Sequence, residues 1–259
     1  MHKTVYCSDL HGNEALYNRL FEFAVDEAAS FIVIGGDISP HFRKDIAQGI
    51  NCQREFIEGF LTDFNKKVIE SGINLFLIMG NDDYKSNYPL LAKFNNLHNN
   101  PLDIGSKKII GYSFVPPTPF LLKDWEKLDD GQSVPLTDPR LDIRTAPKED
   151  GTIALDLQRI ASMSEPKNTI YVMHSPPFCT LLDKTYSGLH VGSKAIKEFI
   201  KKERPPLSLH GHIHEGPKTG SWKDEIGGCV CVNPGSLATK LCLACFDADN
   251  VSDIRYEVI

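Results

Sequence analysis

Phe31-Ile32-Val33-Ile34-Gly35-Gly36-Asp37 is the stretch on which the fold turns. Four apolar residues in succession, with no polar residue between them, are the mark of a strand buried on both faces. The two glycines let the chain turn sharply, and Asp37 stands at the carboxyl end of the strand. A strand covered on both sides needs helices above and below, and the flanking sequence supplies them. Upstream, Thr4 to Cys7 is a short β run, and a helix follows from Asn13, a good N-cap, with Leu16, Leu20, Phe23 and Ala24 on one face. Downstream, a helix over about Asn51 to Ser71 carries Phe56, Phe60, Phe64 and Val68 at i, i+4 spacing, beside Ile57 and Leu61. Asn74 to Met79 is a third buried strand. Three β-α repeats predict a parallel sheet with helices on its faces.

The second half has another texture. Pro116 to Pro147 holds six of the sixteen prolines and shows no sustained period, so it reads as an irregular excursion. The β-α rhythm then resumes, with a helix at about Ile153 to Met163, a strand at Thr169 to Met173, a helix at Ser193 to Lys202 and a strand at Leu207 to Leu209. After His214 come short strands at Val230 to Val232, Leu237 to Phe246 and Ile254 to Val258, with no helix. They predict a second, partly antiparallel sheet packed against the first, with Trp222 a strand residue of that sheet. The expectation is one domain over 1–259, with an irregular Pro-rich insert at about 114–150.

Composition removes several classes of function. The 259 residues are 41% hydrophobic and 24% charged, the balance of a globular protein. A net charge of -6 without a basic block argues against a nucleic-acid backbone or an anionic membrane as partner. No apolar run approaches the roughly 20 residues that cross a bilayer, and the amino terminus shows no signal region, so a cytoplasmic setting is expected. The seven cysteines are an odd number scattered over a long chain, which fits reduced thiols. Cys229-x-Cys231 and Cys242-x-x-Cys245 lie in strand-like runs without the turn that converges thiolates on zinc, so they read as buried apolar residues.

Polar residues gather at the strand ends: Asp9 and His11 after the first, Asp37 after the second, Asn81-Asp82-Asp83 after the third, then His174, and His210, His212 and His214 after later strands. In an open α/β sheet, ligands bind at the carboxyl ends of the strands. Asp, His and Asn offer oxygen and nitrogen donors without thiolate, which suits Mn²⁺, Fe or Zn²⁺. Asp9 and His11 are two apart, so at an extended strand end they leave the same side, and His212 and His214 repeat that device. Seven candidate ligands exceed one tetrahedral ion and are enough for two ions with a shared carboxylate. Five of the nine histidines fall in these segments. Any one motif alone reads as a turn or a hydrogen-bonded core histidine; their ordered conjunction does not.

In that order, Asp-x-His, Gly-Asp, Gly-Asn, a lone His and Gly-His-x-His, the chain resembles the calcineurin-like metallophosphoesterases from Asp9 to His214. Asn233-Pro-Gly-Ser236 is similar to the family's turn after the last motif. The resemblance implies an α/β fold of two packed mixed β-sheets flanked by helices, in four layers. It implies two divalent metal ions, with Asp9, His11 and His214 on the first, Asn81, His174 and His212 on the second, and Asp37 bridging. It implies a phosphohydrolase in which a metal-bridging hydroxide attacks a small phosphodiester or phosphomonoester in line. In one respect the sequence departs from the pattern: Asp82 stands where the family has the histidine taken to protonate the leaving group. Asp82 with His174 and with His41 or His190 are therefore the candidates for catalysis. Asn81, His41 and Trp125 are the candidates for contacting substrate, and the excursion carrying Phe114, Phe120, Lys123 and Trp125 is expected over the metal mouth. The alternatives are a non-catalytic scaffold that keeps the fold, as the related retromer subunit does, and a DNA nuclease of the same superfamily. An oligomer is compatible with all of these.

Overall fold

In the computed structural model of the protein, the residues described are 2–42, 45–120, 122–131, 149–219 and 221–259. Residues 132–148, about half of the excursion, lie outside them. Strand β1 (Lys3–Cys7) leads to helix α1 (Glu14–Asp26), whose first turn is capped by Asn13 accepting the Leu16 N–H, and then to β2 (Phe31–Gly35). Helix α2 (Ile46–Phe56) starts about one turn before the sequence pattern does, because Asp45 accepts the Gln48 N–H and caps it. A π-helical turn, Ile57–Leu61, joins it to α3 (Thr62–Glu70), and β3 (Asn74–Ile78) follows. Three short strands that periodicity did not reveal come next: β4 (Asn95–Asn96), β5 (Leu102–Ile104) and β6 (Lys107–Tyr112).

Helix α4 (Ile153–Ala161), β7 (Thr169–Met173), α5 (Lys194–Glu203) and β8 (Leu207–Leu209) restore the alternation. A four-residue helical turn, α6 (Gly216–Thr219), precedes β9 (Lys223–Ile226), β10 (Cys229–Val232), β11 (Cys242–Asp247) and β12 (Asn250–Val258). The strands form two six-stranded sheets, in the orders β12-β11-β1-β2-β3-β4 and β5-β6-β7-β8-β10-β9.

The expectation that the last strands make a sheet of their own is thereby corrected. β9 and β10 extend the second sheet, but β11 crosses back and pairs antiparallel with β1. Its Cys242 to Phe246 are all buried, as an interior strand requires, while β12 is polar and half-exposed at the edge. Trp222 sits just ahead of β9 and stacks at 9° on Tyr256 of β12, so it bridges the two sheets.

Alternation along each strand explains the layers. In β2, Phe31 and Val33 point into one apolar cluster with Phe76, Ile109, Ile170, Val172 and Leu209, which fills the space between the sheets. Ile32 and Ile34 point the other way, into a cluster with Leu16, Leu20, Ile57 and Phe64 of the helices. The same division on β7 sends Tyr171 and Met173 toward the helices. The result is helix, sheet, sheet and helix, with the carboxyl ends of β1, β2, β3, β7 and β8 opening on one region.

Candidate metal centre

Every one of the seven candidate ligands follows one of those five strands within a few residues. The loops after β1 and β2 are zipped together: Asp9 N–H donates to Gly36 O at 3.0 Å, His11 N–H to Asp37 O at 2.8 Å and Gly12 N–H to Ile38 O at 3.0 Å. Asp9, His11, Asp37 and His212 all have left-handed backbone, with φ of +59, +46, +50 and +65. For residues with a Cβ, that conformation costs roughly 1 kcal/mol or more each and persists only where the surroundings over-determine it. Gly36 has φ +110, and a Cβ there would lie against His174 Nδ1, so only glycine lets β2 end against that ring.

The donors converge. His214 Nε2 is 3.3 Å from Asp9 Oδ1, and His11 Nε2 faces His214 Nε2 at 3.5 Å. Asp37 Oδ2 lies 3.4 Å from His174 Nε2 and 3.9 Å from His11 Nε2, and Asn81 Oδ1 lies 3.3 Å from His174 Nε2. His212 packs on His174 with ring centroids 5.3 Å apart. His174 Nδ1 is 2.8 Å from Gly35 O, which places an N–H on that nitrogen and turns Nε2 inward.

Burial alone would raise the Asp9 carboxyl, but the His214 imidazole outweighs it and holds the group below the ordinary carboxylate range. Asp37 behaves alike, with burial opposed by His174, His11 and Lys123 and the net shift far downward. Burial pushes His11 down, and it pushes His212 down to about 3 with help from His174. Asp9 and Asp37 are thus carboxylates and His11 and His212 neutral imidazoles, the forms that bind metal, whereas against burial Asp37 pushes His174 up to about 9 and Asp9 raises His214, so a metal there would displace a proton from each.

Their arrangement fits a divalent cation. Asp9, His11 and His214 place one ligand atom each within 4.8 Å of one another, and Asp9, Asp37 and His174 do the same. His11 Nδ1 is buried without a hydrogen-bond partner, and the two Nε2 atoms facing each other at 3.5 Å can share one proton or one cation. The donor set is oxygen and imidazole nitrogen, suited to Mn²⁺, Fe or Zn²⁺. No cysteine joins these groups among the described residues, and all seven thiols are free.

The family model for calcineurin-like phosphoesterases matches residues 2–216. The chain belongs to the calcineurin-like phosphoesterase family. Compared by sequence with curated proteins, it finds no match. Among solved structures it is similar to the protein TT1561 of Thermus thermophilus, with TM-score 0.62, 15% identity and coverage of 99% of this chain and 98% of that one. It is similar to a dimetal phosphatase from Danio rerio, with TM-score 0.60, 10% identity and coverage of 99% and 95%. It is also similar to GAP50 of Plasmodium, described as an anchor in the inner membrane complex, with TM-score 0.53, 15% identity and coverage of 100% and 84%. At these identities the likenesses establish the shared fold.

Within this family member, the departure at Asp82 has a visible setting. Asp82 Oδ2 is 2.5 Å from His41 Nδ1 and 3.6 Å from His11 Nδ1, and Oδ1 takes the ammonium of Lys123. Its N–H donates to Asp37 Oδ1 at 2.8 Å. His41 and Asp82 are therefore brought to the centre. Trp125 is not available to substrate: its indole is 1% exposed, packed on His98, Tyr88 and Phe114, and belongs to the core. His190 joins none of the seven donors; its Nδ1 is 2.7 Å from Asp183, which also accepts the backbone N–H groups of Cys179, Thr180 and Gly192 and the Thr180 hydroxyl. His210 is held by Met173 O, Ser175 O and the Ser208 hydroxyl.

Three residues have supporting roles that the sequence does not reveal, although Asp83 and Asn233 stand in motifs it does show. Asp83 accepts the N–H groups of Ile38, Ser39 and Gly80 and so locks the β2 and β3 loops to each other. Gln53 on α2 donates to Asp82 O and accepts the Tyr84 N–H. Asn233 donates to Gly211 O and Ile213 O, which fastens the Gly-His-x-His loop.

Proposed function

We propose that the protein is a dinuclear metal-dependent phosphohydrolase acting on a small phosphate ester. The observation that carries this reading is the convergence of Asp9, His11, Asp37, Asn81, His174, His212 and His214 from five strand ends. Asp9, His11 and His214 would hold one ion and Asn81, His174 and His212 the other, with Asp37 between them; Mn²⁺ is the first choice. When bound, the ions supply Lewis acidity toward the phosphoryl oxygens and an activated water. The chain's own part is to fix the donors in place. Gly35 O orients His174, the Asp82 N–H holds one oxygen of Asp37, and the backbone N–H of His212 holds both oxygens of Asp9 at 3.1 Å. Asp82, engaged by Lys123 and His41, acts as an ion-pair acceptor beside the centre. Among the described residues no helix is long and apolar enough to cross a membrane, and the seven free thiols favour a cytoplasmic setting. Chain 1–259 serves as one catalytic domain, with the 114–150 segment as its insert.

The test is hydrolysis of p-nitrophenyl phosphate and of bis(p-nitrophenyl) phosphate with Mn²⁺, before and after chelation, together with Asp37→Asn. Chelation abolishes turnover, added Mn²⁺ restores it, and Asp37→Asn lowers it by at least about 100-fold. Two bound ions with no turnover of either ester would overturn the reading. They would favour a binding scaffold, the kind of role that the Plasmodium anchor's description suggests.

A further inference from the structure

Among the described residues of the Pro-rich segment, Lys123 reaches the metal centre. Its side chain is only 12% exposed, and its ammonium pairs with Asp82 Oδ1. Asp82 in turn touches two of the donors, through its N–H to Asp37 Oδ1 and through Oδ2 at 3.6 Å from His11 Nδ1. The segment that delivers Lys123 is anchored on both sides. Asp124 N–H donates to Asn81 O at 3.0 Å, the Lys85 N–H donates to Asp124 Oδ2 at 3.0 Å, and the backbones of Val115, Trp125 and Lys127 are bonded together over the buried indole. A lysine is rarely taken out of water without a charge to meet.

We infer that Lys123 receives the third non-bridging oxygen of a phosphomonoester, so that the centre selects monoesters over diesters. This rests on the phosphoesterase reading above. A two-ion centre clamps two oxygens of a phosphoryl group. In a monoester the third is a charged oxygen, and an ammonium beside it forms a charge-assisted hydrogen bond. In a diester the corresponding oxygen carries carbon and no charge, so the same ammonium gains little and is partly desolvated. Asp82, in the place of the family's histidine, supplies the carboxylate that keeps Lys123 extended toward the centre when no substrate is there.

Two measurements on the Mn²⁺-loaded full chain test this, using wild type, Lys123→Met and Lys123→Arg, each checked for folding by thermal melting. In the first, the ratio of kcat/KM for p-nitrophenyl phosphate to that for bis(p-nitrophenyl) phosphate falls about 10- to 100-fold in Lys123→Met, and Lys123→Arg keeps it within about threefold. In the second, calorimetric affinity for inorganic phosphate falls by a similar factor in Lys123→Met, while that for dimethyl phosphate moves by less than about threefold. An unchanged ratio with unchanged phosphate affinity, or equal losses on both classes, would overturn the inference. A wild type that cleaves neither ester counts against the phosphoesterase reading alone, and the calorimetric comparison then decides the role of Lys123.

Discussion

Adding one methyl group at Gly80 is expected to destroy the metal centre and spare the fold. A Cβ at this position would lie against Asp37 Oδ1, 2.5 Å from His174 Nε2 and 2.6 Å from the Asp37 backbone N. Each is about 1 Å short of ordinary van der Waals contact, and the neighbours are fixed by a backbone strand end and by the Gly35 O–His174 hydrogen bond. Metal sites tolerate ligand displacements of only about 0.2 Å, so Gly80→Ala disturbs two donors at once. Weakening of Mn²⁺ binding by at least about 100-fold follows, or roughly 2.7 kcal/mol. Overpacking costs the metal-free fold about 1–3 kcal/mol, a few degrees of melting temperature for a chain of this size. The control is Gly59→Ala, where a Cβ meets nothing within 4 Å in the helical run between α2 and α3. That variant is expected to gain about 0.5–1 kcal/mol and bind Mn²⁺ as the parent does. Calorimetric titration with Mn²⁺ and urea unfolding of the chelated proteins read the two effects apart. Parental stoichiometry and affinity in Gly80→Ala would refute the placement of Asp37 and His174 as ligands.

Asp83→Ala leaves three buried N–H donors without an acceptor and is expected to cost about 3–5 kcal/mol in urea unfolding; a loss under about 1 kcal/mol would mean that the clamp between the loops is not there. His98 is buried among Tyr112, Phe114 and Trp125, and burial, reinforced by Lys85, lowers its pKa to about 3. Above the unfolded value of about 6.5 neither state binds the proton; below it the unfolded chain does and the native one does not, so stability is lost as pH falls from 6.5 toward 3. The slope is about 1.4 kcal/mol per pH unit, and His98→Gln in chelator should flatten the decline between pH 6.5 and 5 by up to about 2 kcal/mol. Identical slopes in variant and parent would remove His98 as the cause.

The parallel core could be read from the sequence because its strands are buried on both faces. Phe31 to Gly35 and Asn74 to Ile78 announce themselves by unbroken apolar composition, and Thr169–Met173 and Leu207–Leu209 match their expected bounds. Sheet membership is a different kind of fact. Cys242–Asp247 has the composition of a strand in either sheet, and its pairing with Lys3–Cys7 is decided by long-range register that no local window contains. Asn95–Asn96 is two residues long and lacks β propensity altogether, so only its pairing with Phe76 and Leu77 makes it a strand.

The centre shows the same division between composition and geometry. The donor types and their order were legible, because Asp, His and Asn at strand ends are chemically conspicuous. The left-handed backbone at Asp9, His11, Asp37 and His212 was not, since such residues do not advertise a positive φ as glycine does. That strain is sustained by the zip between the β1 and β2 loops and by the His212 N–H on Asp9, contacts made between segments far apart in the chain. Lys123 illustrates the limit from the other side. The sequence places Lys123 in an excursion over the metal mouth but gives it no partner; that partner is Asp82, forty-one residues earlier, where a carboxylate replaces a histidine. A loop cation and a motif substitution read separately look like noise and an impairment. Brought together beside Asp37 and His11, they form one charge pair at the edge of the centre.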